Sequence, residues 1–245
     1  MNEQIQQWEP MKLVGAIDLP ARTIDCWLLN LDRLPEVIAA LRDDEIQRAN
    51  RFRFARDRRR FIAARNAIRT ILAGYEGTKP AEIVFHENEF GRPEIHPSKA
   101  GITFNHSRSG ERGLLCVAED GVLGIDIEEL RDARDLVDVA KLNFSRRELI
   151  QLEQLPEGAQ LEAFYNCWTR KEAVVKAAGQ GLSAPLADFD VVLAPGREPA
   201  ILGGRNELER IMRWRLRSFT PAENFIAAIA TGNSSPDYRH FRWIP

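Results

Sequence analysis

The spacing of apolar residues changes along the chain between the period of a strand and that of a helix, which predicts an α+β protein. Residues 23–31 (TIDCWLLNL) are rich in β-branched and large apolar residues and predict a strand. Residues 35–54 carry apolar side chains at helical intervals and predict one helix. Residues 58–75 predict a second helix, with Asp57 as its N-cap and Gly74 or Gly77 at its end.

Two hairpins and a further strand are predicted next. Residues 81–95 and 101–119 are typical of hairpins, with turns near Gly91 and Gly110. Residues 122–130 (VLGIDIEEL) predict a strand. The rest predicts a helix after the capping box of Ser145 and Glu148, a helix over 159–178, three strands from "DFDVVLAPG", "RWRLRSF" and "NFIAAIA", and a short helix over 206–212.

The order of these elements indicates an internal duplication. Each half begins with an apolar strand, continues through two helices and finishes with β segments. We therefore expect a pseudo-twofold pair of similar α+β subdomains, residues 1–121 and 122–245. A crevice between two such halves is a natural place for a ligand, so the active site is expected there.

Composition excludes several classes of protein. The 245 residues carry a formal net charge of −2, so there is no global attraction to nucleic acid or to an acidic membrane. The longest apolar runs are far shorter than the roughly 18 residues that span a bilayer. Cys26, Cys116 and Cys167 have no close spacing, and the N-terminus lacks the basic start and apolar run of a signal peptide. These features predict a cytoplasmic protein that binds neither nucleic acid nor membrane.

Two carboxylates follow each other on one face of the strand over residues 122–130. Asp126 and Glu128 share that face, while Ile125 and Ile127 share the other. A polar strand face in water is the simpler interpretation. The apolar neighbours favour a strand near the core, where paired carboxylates are costly unless a cation neutralises them. Mg²⁺ binds one or two carboxylates together with substrate phosphate oxygens, so it fits this pair.

A second polar constellation lies on the helix predicted over 159–178. Glu172 and Lys176 are four residues apart and share one face. They could form an ordinary surface ion pair. Alternatively, Glu172 supplies a third carboxylate to the metal or acts as a base, while Lys171 and Lys176 bind phosphate.

Basic residues supply a third candidate feature. Ten arginines between residues 42 and 69 exceed the local acids by six charges, and "GRPEI" and "FNHSRSGE" place Arg92, Ser107, Arg108 and Ser109 in turns suited to an anion. The chief rival interpretation is a nucleic-acid-binding module that uses the helices over 42–69. It leaves both carboxylate motifs unexplained. A nuclease on the same acids lacks the expected D/E-x-K lysine, and the intact acidic set argues against an inactive binding protein.

Read in chain order, five segments resemble the 4'-phosphopantetheinyl transferase superfamily, specifically its monomeric surfactin-type branch. They are "FGRPEI", "FNHSRSGE", "LGIDIEEL", "FSRREL" and "FYNCWTRKEAVVKAAGQGL", and the resemblance spans about residues 48–182. Its most specific pieces are G-I-D-I-E and W-x-x-K-E-A-x-x-K. The resemblance implies two similar halves with the active site between them.

The same resemblance implies an activity of the holo-[carrier protein] synthase type. The enzyme would move the phosphopantetheine arm of coenzyme A onto a serine of an apo acyl or peptidyl carrier protein, with Mg²⁺ as cofactor, and release 3',5'-ADP. By motif position the Mg²⁺ ligands would be Asp126, Glu128 and Glu172, and Glu172 would also be the base for the serine hydroxyl.

The contacts to coenzyme A are implied in the same way. Lys171 and Lys176 would steady the pyrophosphate, and Arg48 and Ser107 would bind the phosphates. Arg92 with Pro93 would bind the adenosine end. The sequence departs from the family pattern at Arg108, where the family has a histidine. Because arginine stays charged at physiological pH, we expect coenzyme A binding to survive with less pH dependence.

Overall fold

The structure is a computed structural model that describes residues 5–89, 91–95, 97–119, 121–132, 136–179, 185–204, 211–232 and 235–245. It confirms the α+β class. The strands are β1 Glu9–Met11, β2 Thr23–Asn30, β3 Phe85–Glu87, β4 Pro93–Ile95, β5 Ile102–Ser109, β6 Arg112–Glu119, β7 Leu123–Glu129, β8 Phe189–Val191, β9 Ile201–Gly204, β10 Arg215–Phe219, β11 Phe225–Thr231 and β12 Asp237–Trp243. The helices are α1 Asp43–Asn50, α2 Ala55–Glu76, α3 Leu136–Asn143, α4 Arg146–Gln154 and α5 Glu157–Ala178.

The two main sheets repeat one topology. One has the order β1-β12-β2-β6-β5 and the other β10-β11-β7. In both, a first strand pairs antiparallel with the second strand of a later hairpin: β2 with β6, and β7 with β11. A helix of 22 residues lies between strand and hairpin in each case, and both helices end at a left-handed glycine, Gly77 and Gly179. This shared order supports the predicted duplication.

The two halves stack as four layers, helix, sheet, sheet and helix. Alternation along β2 explains the arrangement, since Trp27 and Leu29 pack towards α2 while Cys26 and Leu28 pack towards the other sheet. The middle core between the sheets also contains Ile125 and Ile127, as the alternation in β7 predicted. Helix α5 covers the outer face of the second sheet.

Several local predictions need correction. Residues 35–54 do not form one helix: a short 3-10 turn at Ile38–Ala40 precedes α1, and Val37 and Ile38 are exposed. Helix α2 begins at Ala55, before the predicted N-cap Asp57. The predicted helix over 206–212 lies mostly outside the described residues. Among the described helices, none is both long and apolar enough to cross a bilayer.

The chain termini cross between the halves, which the sequence pattern did not predict. Strand β12 inserts between β1 and β2 of the first sheet, so residues 237–243 lie with the first half. In return, Trp8 donates from its indole N–H to Pro221 O and packs against Phe219 of the second half. The division at residue 121 stays a prediction, and the last strand does not follow it.

Gly124 allows helix α5 to lie directly on β7. A Cβ at this position would overlap the backbone of Ala173 and Ala177. Since backbone atoms cannot rotate away as a side chain can, the close packing requires glycine. It also brings the side chains of α5 next to the carboxylates of β7.

We expect Gly124→Ala to lower the free energy of unfolding by at least about 2 kcal/mol, because the new methyl group forces the helix away from the strand. Urea unfolding measures the change. Gly158→Ala is the matched control, since a Cβ there meets nothing within 4 Å. That control should be neutral or stabilising by up to about 1 kcal/mol. An equal response of both variants would contradict the close-packing account.

Candidate active site at the seam between the halves

The two halves meet along a seam where β5 of the first half lies beside β7 of the second half. Strand β5 presents two different rows of side chains at this seam. Asn105, Ser107 and Ser109 bond to β7, whereas Phe104 lies in the core with α2 and Arg108 lies on the same side. The alternation of a strand explains this division. The expectation that residues 107–109 lie in a turn was wrong, since β5 continues to Ser109 and the turn follows at residues 110–111.

A lysine from α5 closes a polar cluster on β7. Lys176 Nζ lies 2.6 Å from Asp126 Oδ1 and donates to Ser107 Oγ at 3.1 Å. Ser107 Oγ in turn donates to Asp126 Oδ1 at 2.7 Å. The Asp126 side chain is 4% exposed, so the neighbouring ammonium neutralises a carboxylate that is almost out of water. These three predicted site residues are therefore brought together from both halves.

The other two carboxylates of the predicted set are held at raised pKa. Burial, and next the charge of Asp126, raise the pKa of Glu128 to about 7, although a hydrogen bond from Ser109 opposes the shift. Burial also raises the pKa of Glu172, and Lys176 opposes that shift. Acidic groups that crowd each other in a partly dry site are a common mark of a functional centre.

The carboxylate oxygens of Asp126, Glu128 and Glu172 are donor atoms suited to a hard divalent cation. Asp126 Oδ2 is buried and accepts no hydrogen bond within the described part of the chain. Carboxylate oxygens are the ligands that Mg²⁺ prefers. However, no three carboxylate, imidazole or thiol side chains among the described residues already converge as a metal site. The predicted set of Asp126, Glu128 and Glu172 is thus not preformed, and Lys176 contacts one oxygen of Asp126.

Two guanidinium groups of the first half lie close to each other. Arg48 and Arg108 both lie over the Phe61 ring, with their Cζ atoms 5.7 and 5.8 Å from its centroid. Burial, and next the positive charge of Arg48, lower the pKa of Arg108. Two cations held near each other form a region suited to an anion. Burial and the surrounding cations also lower the pKa of His106 to about 3, so that imidazole stays neutral.

Arg92 and Pro93 lie where the hairpin β3–β4 meets the end of α5. Arg92 Nη1 donates to Lys176 O at 3.2 Å, and Nη2 donates to Phe104 O at 3.3 Å. Asn88 Nδ2 donates to Gly179 O at 3.4 Å, so the hairpin also caps the helix. The guanidinium of Arg92 therefore contacts the protein at the seam. Its predicted role at the adenosine end stays a prediction.

Lys171 does not face the cluster, which corrects the prediction that it binds phosphate. Its side chain is fully buried, with Nζ 2.8 Å from Glu148 Oε2, and it donates to Leu186 O and Phe189 O. The helical period explains the difference. Glu172 and Lys176 are four residues apart and share a face, whereas position 171 is rotated by about 100° from position 172.

Most of the arginines between residues 42 and 69 are already paired. Arg59 and Arg60 bind Asp32, and Arg65 and Arg69 bind Glu45. Counting three weaker contacts at Arg42, Arg56 and Arg58, at least seven of these arginines contact an acid. Fewer unpaired guanidinium groups are therefore left for the phosphates of a nucleic acid than the sequence alone suggests.

A cavity of about 730 Å³ opens at this seam, within the usual range for small-molecule sites. About half of its lining is charged or polar, and the rest is largely apolar. Its lining residues are Ser107, Arg108, Asp126, Glu128, Leu142, Asn143, Trp168, Glu172, Lys176, Pro185, Leu186 and Ala187. The sequence did not predict the apolar part of the lining, because nothing in the pattern connects Leu142 or Leu186 with the metal strand.

Comparison with known proteins identifies similar sequences for both halves. The profile described as "4'-phosphopantetheinyl transferase superfamily" matches residues 122–230, and that described as "4'-phosphopantetheinyl transferase, N-terminal" matches residues 26–119. The 4'-phosphopantetheinyl transferase HetI of Nostoc sp. is 36% identical over 228 residues, which cover 91% of this chain and 90% of that protein. The 4'-phosphopantetheinyl transferase Sfp of Bacillus subtilis is 31% identical over 147 residues, covering 60% of this chain and 64% of that protein.

Among solved structures, the holo-[acyl-carrier-protein] synthase of Thermotoga maritima aligns with a TM-score of 0.38 and 18% identity. The alignment covers 47% of this chain and 64% of that chain.

We expect Lys171→Met to lower the free energy of unfolding by about 3 to 5 kcal/mol, because it leaves the buried Glu148 carboxylate without its cation. Lys171→Met combined with Glu148→Gln removes both charges and should recover most of that loss. Urea unfolding of both variants measures the difference. A Lys171→Met protein as stable as the wild type would show that the ion pair is absent.

Proposed function

The chain belongs to the 4'-phosphopantetheinyl transferase superfamily, and from this premise we propose that it moves the phosphopantetheine arm of coenzyme A onto a carrier-protein serine. The acceptor is an apo acyl or peptidyl carrier protein in the cytoplasm, and 3',5'-ADP is released. The enzyme is accordingly of the holo-[carrier protein] synthase type. No separate observation favours a second function.

The observation that carries this proposal is the meeting of opposite charges at the seam. Lys176 from α5 contacts both Asp126 of the second half and Ser107 of the first half. Coenzyme A carries a pyrophosphate and a ribose phosphate, so its site needs several cations. Transfer to a serine also needs a nearby carboxylate that can take the proton of the hydroxyl group. The seam supplies both kinds of group around a cavity of suitable volume.

Positioning and charge neutralisation supply most of the rate in phosphoryl transfer. In the proposed step, the serine oxygen forms a bond to the phosphorus next to pantetheine. The phosphoanhydride bond to 3',5'-ADP breaks, and the serine proton passes to the carboxylate of Glu172. The raised pKa of Glu172 favours this role, because a base with a pKa nearer neutrality is better matched to the proton it removes. Lys176 would turn from Asp126 to the pyrophosphate.

Asp126, Glu128 and Glu172 are the residues that would hold Mg²⁺. When bound, the cation would supply positive charge against the pyrophosphate and relieve the repulsion between the carboxylates. The unpartnered Asp126 Oδ2 supports this assignment.

The first half would hold the remaining phosphate charge. Arg48 and Arg108 lie together over Phe61, and Arg108 and Ser107 line the cavity. Because Arg108 stays protonated, this contact would not weaken as pH rises through neutrality. Arg92 and Pro93 would contact the adenosine end from the hairpin at the helix terminus.

The test is mass spectrometry of several apo carrier proteins incubated with the enzyme, coenzyme A and Mg²⁺. We expect a mass gain of one phosphopantetheine arm on at least one carrier. Asp126→Asn keeps the shape of the side chain but removes its charge, so the rate should fall by at least about 100-fold.

Asp237→Asn is the matched control, since Asp237 is exposed at the start of β12 and lies outside the cavity. It should transfer at the wild-type rate. If no carrier protein gains mass, or if Asp126→Asn and Asp237→Asn transfer at equal rates, the proposal is refuted.

A further inference from the structure

The edges of the two main sheets meet at the seam without forming a strand ladder. Strand β5 is the last strand of one sheet, and β7 is the last strand of the other. Side chains of β5 bridge them. The Ile125 N–H donates to Asn105 Oδ1 at 3.1 Å, and the Glu129 N–H donates to Ser109 Oγ at 3.1 Å. Both contacts join residues twenty apart in sequence, so the two edges run in the same direction with a constant offset.

These side chains take the place of a neighbouring strand. A buried backbone N–H without a partner costs free energy comparable to a lost hydrogen bond, and the edge of a sheet presents a row of such groups. Ile125 is fully buried and Asn105 is 7% exposed, so water cannot easily replace the bond between them. The amide of Asn105 and the hydroxyl of Ser109 therefore satisfy two backbone N–H groups on the free edge of β7.

The two hydrogen bonds to the backbone of β7 lie on either side of the acidic pair Asp126 and Glu128. Asp126 directly follows Ile125, and Glu128 directly precedes Glu129. Ser109 Oγ also donates to Glu128 Oε2 at 2.6 Å, so one hydroxyl holds both the backbone and a carboxylate. A slip of β7 by one residue would turn both carboxylates to the opposite face of the strand.

We propose that Asn105 and Ser109 are positioning residues, which hold β7 in register against β5 so that Asp126 and Glu128 face the cavity as a cation-binding pair. The inference rests on the proposed function, because it gives the pair a task in that reaction. Neither residue needs to touch coenzyme A or the acceptor serine. Their loss should weaken cation binding and turnover more than it weakens the fold.

The chain offers a close internal control for Ser109. Ser98 lies in the same half, is also partly exposed, and makes the same two kinds of contact. Its hydroxyl donates to Glu76 Oε1 at 2.5 Å and accepts from the Ile102 N–H at 3.0 Å. Ser98→Ala and Ser109→Ala therefore remove matched pairs of hydrogen bonds, one pair away from the carboxylates and one pair beside them.

The experiment measures cation binding directly as well as activity. Mn²⁺ replaces Mg²⁺, and the electron paramagnetic resonance signal of free Mn²⁺ is followed during titration of each full-length variant with coenzyme A present. Urea unfolding and carrier modification are measured on the same samples. Ser109→Ala should raise the Mn²⁺ dissociation constant at least about 10-fold and lower kcat by a similar factor, as for other residues that orient metal ligands.

Ser98→Ala should stay within about twofold of the wild type in both Mn²⁺ affinity and kcat, at a similar cost in stability. Ser109→Thr retains the hydroxyl and should restore most of the Mn²⁺ affinity. Equal Mn²⁺ affinities for Ser109→Ala and Ser98→Ala would overturn the inference. The proposed transferase function would still stand if the wild-type enzyme modified a carrier protein. A wild-type enzyme that modifies no carrier would instead overturn the proposed function on which the inference rests.

Discussion

Asn105 and Ser109 join the edge of one sheet to the edge of the other, and the arrangement of the cavity depends on this junction. Each half contributes only part of the cavity lining: Ser107 and Arg108 come from the first, and the three carboxylates and Lys176 come from the second. Side-chain acceptors on β5 pair with backbone donors on β7 at a constant offset. Because a strand alternates its faces, this offset and the ladder between β7 and β11 together place Asp126 and Glu128 on the side of the cavity.

A second constraint sets the distance between α5 and this junction. Gly124 lets the helix lie on β7, and the helical period then directs positions 172 and 176 to the cavity and position 171 into the core. The buried pair of Lys171 and Glu148 lies on a different face of the same helix. A single helix thus lines the cavity with one face and packs in the core with another.

Local patterns in the sequence were sufficient for most elements and for the face that Asp126 and Glu128 occupy, because strand alternation and helical spacing depend only on neighbouring residues. Motifs placed Glu172 and Lys176 near them, and the structure agrees. The buried position of Lys171 was missed because a motif does not say which face of a helix is covered. The role of Asn105 was missed for a similar reason, since its partner is a backbone group on a strand of the other half. The return of β12 to the first sheet depends on long-range pairing that no local pattern records.

We infer that side chains of β5 act as the missing strand beside β7. Amide hydrogen exchange, followed by nuclear magnetic resonance, measures this at single residues. We expect strong protection of the Ile125 and Glu129 amides in the wild type, with selective loss of protection at Ile125 in Asn105→Ala. Protection at Ile125 that is equal in both proteins, or loss spread evenly along β7 and β11, would contradict the account.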